Sequence, residues 1–560
     1  MRRNVIRTTL LVALLVMMLM PLVHVLSIGQ GAIDANDAEH MVKPMLAMLA
    51  ESPQRKANTA VEPMLELEDA WAIEDTREES WEEPLVVGMR NGDNELGFDR
   101  ASNTFYCTLG MEDTGDWPEL ALFAQGAQGT ENLRVAWIDD YSYDYRSDAI
   151  REGYRYELLA YTDTQYAYFG MVFTGLPLVT LHVQDGIEVG DQYVPARVSV
   201  ADGADTSVVE MAQIHIRGNE KHIPKRGYRV EFHEITHQGR DGKKAVSLLG
   251  MDADTDYLLL CNAQDETTVR NKLCFDMWNR WNEDDHALLM QESHLVEVFF
   301  QNEYQGIYQL MERVNPQKDI LAAGGNADLD CLVRLGGNRE GLNQADFTQD
   351  ADISAEYEYE AKGNVHRAFR LFEDYVELNR IAERLNDEEF AELAEKRLDM
   401  DNMLSYYLFI QSFGLTMDNA LNNLYIWTAW EDGDYQYRFA PWDMDFGIMR
   451  AEYQEDGSPV RYFEMRLEAV KRMLDLDVCG AREKLWSIWN EKKQKYLSYE
   501  VLENWIGSME EEMNRSGAYL RESAKWLYGE RLLDLSAFLE FEKEQVRVID
   551  AVLLENWPIN

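Results

Sequence analysis

The stretch DNALNNLYIWTAWEDGDYQYRFAPWDMDFG, residues 418–447, reads as a strand, a tight turn and a second strand. LYIWTAW and YQYRFAPW flank EDGD, and Asp432-Gly433 has the chemistry of a two-residue hairpin loop. Oxygen-bearing side chains stand at both ends, Asp418 and Asn423 at the entrance and Asp443 and Asp445 at the exit. Antiparallel pairing returns the chain to its start, so the exit acids are expected beside Asn423. Asp443 and Asp445 share a face if that segment stays extended. Clustered carboxylates repel unless a positive charge neutralises them. One Asn with two Asp, an all-oxygen set, suits Mg2+ or Mn2+ better than zinc.

The interval from Asp418 to Asn423 is also that of the protein-kinase catalytic loop, where the Asp accepts the substrate hydroxyl proton and the Asn holds a metal. A hairpin and a metal-binding Asp follow there too. The literal DFG at 445–447 carries little weight alone. The ordered set Asp-x4-Asn, hairpin, Asp-x-Asp carries more.

Around this hairpin the chain reads as largely helical, from about 364 and again from 460 to the end. Upstream, strands dominate from 177 to about 235, including AQIHIRG and GYRVEF. A helix is predicted over 265–281 with Asp265 as its cap, then a strand, a turn and a strand in LVEVFFQNEYQGIYQLMERV. A strand-rich lobe with one helix, followed by a helical lobe with a hairpin inside it, is a bilobal α+β arrangement.

Residues 88–175 show short alternating runs such as NTFYCTLG and YAYFGMVFT, predicting a small β-sandwich that serves as a spacer or binding module. Residues 36–87 are acidic and interrupted by four prolines, and read as a linker. At the N-terminus MRRNVIR precedes a long apolar run, the pattern of a signal peptide or a membrane anchor over 1–35. The remainder is expected outside the cytoplasm, secreted or tethered at the cell surface. With 53 basic against 101 acidic residues the net charge is −48, which argues against nucleic acid and against anionic membrane surfaces as partners. Membrane contact is expected only through the N-terminal segment. Five scattered cysteines have no zinc-type spacing and define no disulfide framework.

Four segments together resemble the spore coat protein H (CotH) kinase family: IRGNEKHIPKRGYRVEF (216–232), LLLCNAQDETTVRNKL (258–273), VEVFFQNEYQGIYQLMERV (296–314) and MDNALNNLYIW…FAPWDMDFG (417–447). They are similar, in order, to the family's R-G-N-S and P-K-K-S-Y segments, its L-R-N helix, its Y-x-G-x-Y-x-L-x-E strand and its P-W-D-x-D signature. The resemblance implies an atypical protein-kinase-like domain over 176–560 that uses ATP with Mg2+ or Mn2+. The acceptors it implies are Ser/Thr hydroxyls of extracytoplasmic or spore-coat proteins.

By position, Asp418 orients or deprotonates the acceptor, and Asn423 and Asp443 hold the metal. Asp445 is a second ligand or a structural carboxylate. Lys225 contacts the nucleotide phosphates with Arg226 beside it, and Arg217, Gly218 and Asn219 form a phosphate-covering turn. Glu266 is the helix glutamate expected to pair with Lys225, and Glu312 is expected at the lobe junction near the nucleotide. Two positions depart from the family pattern. Glu220 replaces the serine after R-G-N, and P-K-R-G replaces P-K-K-S. A negative charge where phosphate should approach supports the alternative of a catalytically inactive scaffold or cell-surface binding protein.

Overall fold

The computed structural model describes residues 58–559 apart from 81–83, 111–119, 129, 139–144, 204–206, 219–222, 237–238, 284, 286, 327, 339–356, 363–364, 383, 415–418, 420–422, 432, 446, 449–467 and 527–532. The signal or anchor segment, Asn219 and Asp418 lie outside the described residues. Among those described, no helix is long and apolar enough to cross a membrane.

Ten strands between residues 58 and 174 join in one sheet. Its two halves meet at Asn58–Glu62, which pairs antiparallel with Leu122–Gly126 through its first half and parallel with Arg134–Trp137 through its second. The small sandwich expected over 88–175 corresponds to a larger strand assembly that begins at 58 and whose two halves share one core, and the linker expected over 36–87 does not reach 87. Residues 58–79 fold with the domain because apolar side chains are spaced for it among the acids. The Leu67–Glu74 helix sets Ala70 and Ile73 against Leu159 and Tyr161.

A second sheet follows at once. Leu178–Val183, Val194–Ala201, Ser207–Arg217, Gly227–Thr236, Asp256–Leu260, Glu303–Glu312 and Ser293–Phe300 are each paired on both sides. The ring closes because Gly227–Thr236 pairs with Ser207–Arg217 on one side and with Asp256–Leu260 on the other. Only Leu178–Val183 against Ser293–Phe300 is parallel. Alternate residues fill one core, among them Val179, Leu181, Val198, Ile214, Val230, Val298 and Tyr308. The N-terminal domain packs onto this ring through Tyr106, Val172, Leu178, Phe299 and Tyr304.

The rest is helical around a four-stranded sheet, ordered Tyr357–Lys362, Leu332–Asn338, Leu424–Glu431, Asp434–Pro441. The α+β class follows directly from these elements. The helix predicted over 265–281 spans Arg270–Trp281. It bridges the two parts, with Trp278 edge-on to Tyr406 and Phe409, and Trp281 against Phe409 and Phe413. Asp265 sits in the turn before it and still accepts from the Arg270 amide at 2.9 Å.

Glu542, on the Leu535–Asn556 helix, is fully buried, and neither carboxylate oxygen has a hydrogen-bond partner among the described residues. Burial holds its pKa well above the usual carboxylate range. A raised folded-state pKa gives stability that is complete below the unfolded value, about 4.3, and is lost as pH rises through the folded one. Glu542→Gln is therefore expected to melt higher at pH 8, by roughly 2–4 °C for each kcal/mol recovered, and to lose less stability between pH 6 and 9. Thermal melts across that range check this, and identical pH slopes for the two proteins would refute it.

Candidate functional site

The hairpin forms as its residues dictate. Leu424 pairs with Pro441 and Glu431 with Asp434, leaving a two-residue connection with Gly433 at φ 89°. The ladder extends one step beyond its last strand pair, since the Trp442 amide donates to the Asn423 carbonyl at 3.0 Å. Asn423 and Asp443 thus stand at adjoining positions where the strands meet. Both have left-handed backbone, φ 46° and 54°, a conformation that Asn and Asp tolerate better than other residues with a side chain. Asn419 locks the junction by donating to the Trp442 carbonyl at 2.8 Å, and its own carbonyl accepts from the Tyr406 hydroxyl at 2.6 Å.

The loop beyond is held from behind by the Arg270–Trp281 helix. The Asn271 carboxamide accepts from the Met444 amide at 2.8 Å and donates to Gln309 at 2.8 Å. Gln309 in turn donates to Ser293 at 3.0 Å. All three side chains belong to buried residues. Arg270 donates to the Ile448 carbonyl at 2.7 Å, and Asp265 holds its guanidinium. The Ile448 amide donates to Phe413 in a π-helical turn, Ile410–Gly414, of the kind that accompanies functional sites. Asn271 and Arg270 lie in the segment that resembles the L-R-N helix, but no local pattern in the sequence announces their grip on this loop.

The two exit acids are not equivalent. Asp443 is exposed and acts electrostatically on Arg217, across from it on the ring. Asp445 is half-buried, near enough to the Cys274 thiol to help raise its pKa after burial has done most of the work. Arg217 is itself half-buried. Burial lowers its pKa and Asp443 opposes that, while Arg334 adds to the lowering. Gly218 is exposed at φ 96° and Arg226 is half-buried.

Lys225 is fully buried. Its ammonium donates to Glu522 at 2.6 Å and to the Ile307 carbonyl at 2.8 Å, and lies 5.0 Å from the Tyr308 ring centre. The pairing expected with Glu266 is not made. Glu266 is largely exposed and binds Arg270 one helical turn on, at 2.6 Å. Glu522, on the Ala518–Lys525 helix, takes the place at Lys225 because that helix is packed against the Glu303–Glu312 strand. Its second oxygen accepts from the Ile307 amide at 2.7 Å. Gly306 makes the approach feasible, since it has φ 93° and a Cβ there would lie 1.9 Å from the Glu522 carboxylate. Gly306→Ala is expected to expel Glu522 and to lower Tm by at least several degrees, as a positive-φ clash against a buried charge does. Thermal melts check it, and an unchanged Tm would count against the contact.

Glu312, expected beside the nucleotide, lies at the end of the Glu303–Glu312 strand. It pairs with Lys318 at 2.7 Å and lines a cavity of about 190 Å³ with Asp252, Gln291 and Asp319, which includes none of the hairpin-base residues.

Among the described residues no three His, Cys, Asp or Glu side chains gather as a metal-holding group. That is compatible with the donor set of Asn423 and Asp443. Mg2+ commonly takes one or two carboxylates and completes its shell with water and substrate phosphates. The residues present fit a hard divalent cation that shares its coordination with a bound phosphate.

A closed sheet with a buried lysine–glutamate pair beside it, and a helical part with an oxygen-rich hairpin base, make up an α+β protein. The chain belongs to the CotH family: the model of that family, described as CotH kinase protein, matches residues 214–545. A comparison with curated proteins found no match.

Proposed function

We propose that the chain is an exported protein kinase that transfers the γ-phosphoryl group of ATP to Ser/Thr hydroxyls of extracytoplasmic, cell-surface or spore-coat proteins. The observation that carries this reading is the apposition of Asn423 and Asp443 at the hairpin base, with Arg217 across from them. Asn423 and Asp443 would hold Mg2+ or Mn2+, which when bound neutralises phosphate charge. Asp443 is preferred over Asp445 because it is the exposed acid and the one whose charge opposes the lowering of the Arg217 pKa. Arg217 offers a charge-assisted donor to phosphate oxygens. The Lys225 ammonium has three donors, of which protein oxygens take two. The third meets no protein oxygen among the described residues, and in this scheme a phosphate reaches it by displacing the packing that now buries it. Asp418 would align the attacking hydroxyl and take its proton. Catalysis in this scheme is positioning together with charge compensation.

One observation favours the inactive scaffold instead: the Lys225 side chain has no solvent exposure. Incubating the full chain with Mn2+ and either γ-labelled or α-labelled ATP separates the readings. The kinase reading expects protein label from the γ position alone. Label from the α position indicates nucleotidyl transfer, and no label from either indicates the scaffold.

A further inference from the structure

The Ala518–Lys525 helix carries two charged residues in succession that hold different parts of the molecule together. Glu522 meets Lys225 and the Ile307 amide, as described. Arg521 donates to both carboxylate oxygens of Glu297 at 2.8 Å, to the Thr174 hydroxyl at 2.6 Å and to the Ser516 carbonyl at 3.0 Å. The Thr174 hydroxyl also donates to Glu297, as does the Tyr304 hydroxyl at 2.6 Å. Glu297 and Thr174 have no exposure, and the Arg521 side chain is 9% exposed.

Glu297 and Tyr304 belong to the ring, but Thr174 does not. It is the last residue of the N-terminal domain's Gln165–Thr174 strand and lies outside the family-matched segment. The same domain touches the helix again at its start, where Gly517 has φ 68° and a Cβ would lie 2.2 Å from the Ile150 carbonyl. A buried guanidinium held by a bidentate carboxylate has little freedom to turn. The residue after it shares that restraint, because both belong to one helical turn.

We propose that Thr174 and Arg521 are positioning residues through which the N-terminal domain sets Glu522 against Lys225. The domain is then a working part of the nucleotide-binding lobe and not a spacer. The kinetic half of the test rests on the kinase reading; the structural half does not.

Thr174→Val removes the hydroxyl at nearly constant volume, Thr174→Ser restores it, and Arg521→Lys keeps the charge but loses the fork. In the full chain, exchange of the Ile307 amide with deuterium is expected to quicken about tenfold or more in Thr174→Val and Arg521→Lys. It should stay at the wild-type rate in Thr174→Ser, with the Met400–Phe409 helix unaffected throughout. KM for ATP is expected to rise about five- to twentyfold while kcat changes less than about threefold. Unchanged Ile307 exchange in Thr174→Val, or equal quickening in Met400–Phe409, overturns the proposal. So does a responsive Ile307 amide with KM for ATP unmoved. Should the Ile307 amide respond while the wild-type chain binds no ATP with Mn2+, the relay stands and the kinase reading falls.

Discussion

Asp443→Asn is expected to lower phosphoryl transfer by about 100- to 1,000-fold, the loss that follows when one preorganised charge is removed from such a centre. The substitution is informative because it changes little else. Asn is one of the few residues that accepts the left-handed backbone found here at φ 54°, so the hairpin base should keep its shape and the melting temperature should stay put. The rate should recover only in part at raised Mn2+, since a neutral carboxamide is a weaker ligand than a carboxylate. Initial rates across a Mn2+ series, with melts on the same samples, measure both quantities. Full activity in Asp443→Asn, with a large loss in Asp445→Asn, would move the metal to the half-buried acid.

Breaking the Lys225–Glu522 pair has the second large expected effect, and two variants separate its two consequences. Lys225→Met leaves the Glu522 carboxylate buried without its cation, and losing one partner of such a pair costs about 3–5 kcal/mol. Glu522→Gln on that background removes the stranded charge while leaving an oxygen for the Ile307 amide, so most of the stability should return. On the kinase reading, affinity for ATP should not return, because the ammonium proposed to meet phosphate is still missing. Melts and nucleotide calorimetry on both variants are the measurement. A double variant that regains ATP affinity along with stability would show that Lys225 has a structural duty only.

The hairpin and the meeting of Asn423 with Asp443 were legible because their cause is local: a two-residue turn, alternating side chains and the geometry of antiparallel return. Glu522 was illegible for the opposite reason. It lies 297 residues from Lys225, and nothing near it in the sequence marks it as the partner of a buried lysine. Glu266 stands where the helix was expected to open, but the helix begins at Arg270, whose side chain claims Glu266. A faint signal did exist in Gly306, an isolated glycine inside an otherwise regular strand, which marks a close approach by another group. Asn271 and Arg270 were visible as part of a resemblance, but their hold on the loop depends on tertiary packing. Residues 58–79 were masked by acidic composition, although the few apolar side chains among them are spaced to fold.

The closed ring of seven strands has a consequence for how an acceptor protein can be held. Among the described residues each of these seven strands has a neighbour on both sides, so an extended peptide finds no edge strand within the ring itself. The eighth strand of the sheet, Gly239–Lys243, pairs only with Gly227–Thr236 and is the one edge the sheet presents among the described residues. Backbone recruitment of a substrate onto this sheet is thereby confined to that short strand, and elsewhere on the ring recognition falls to side chains.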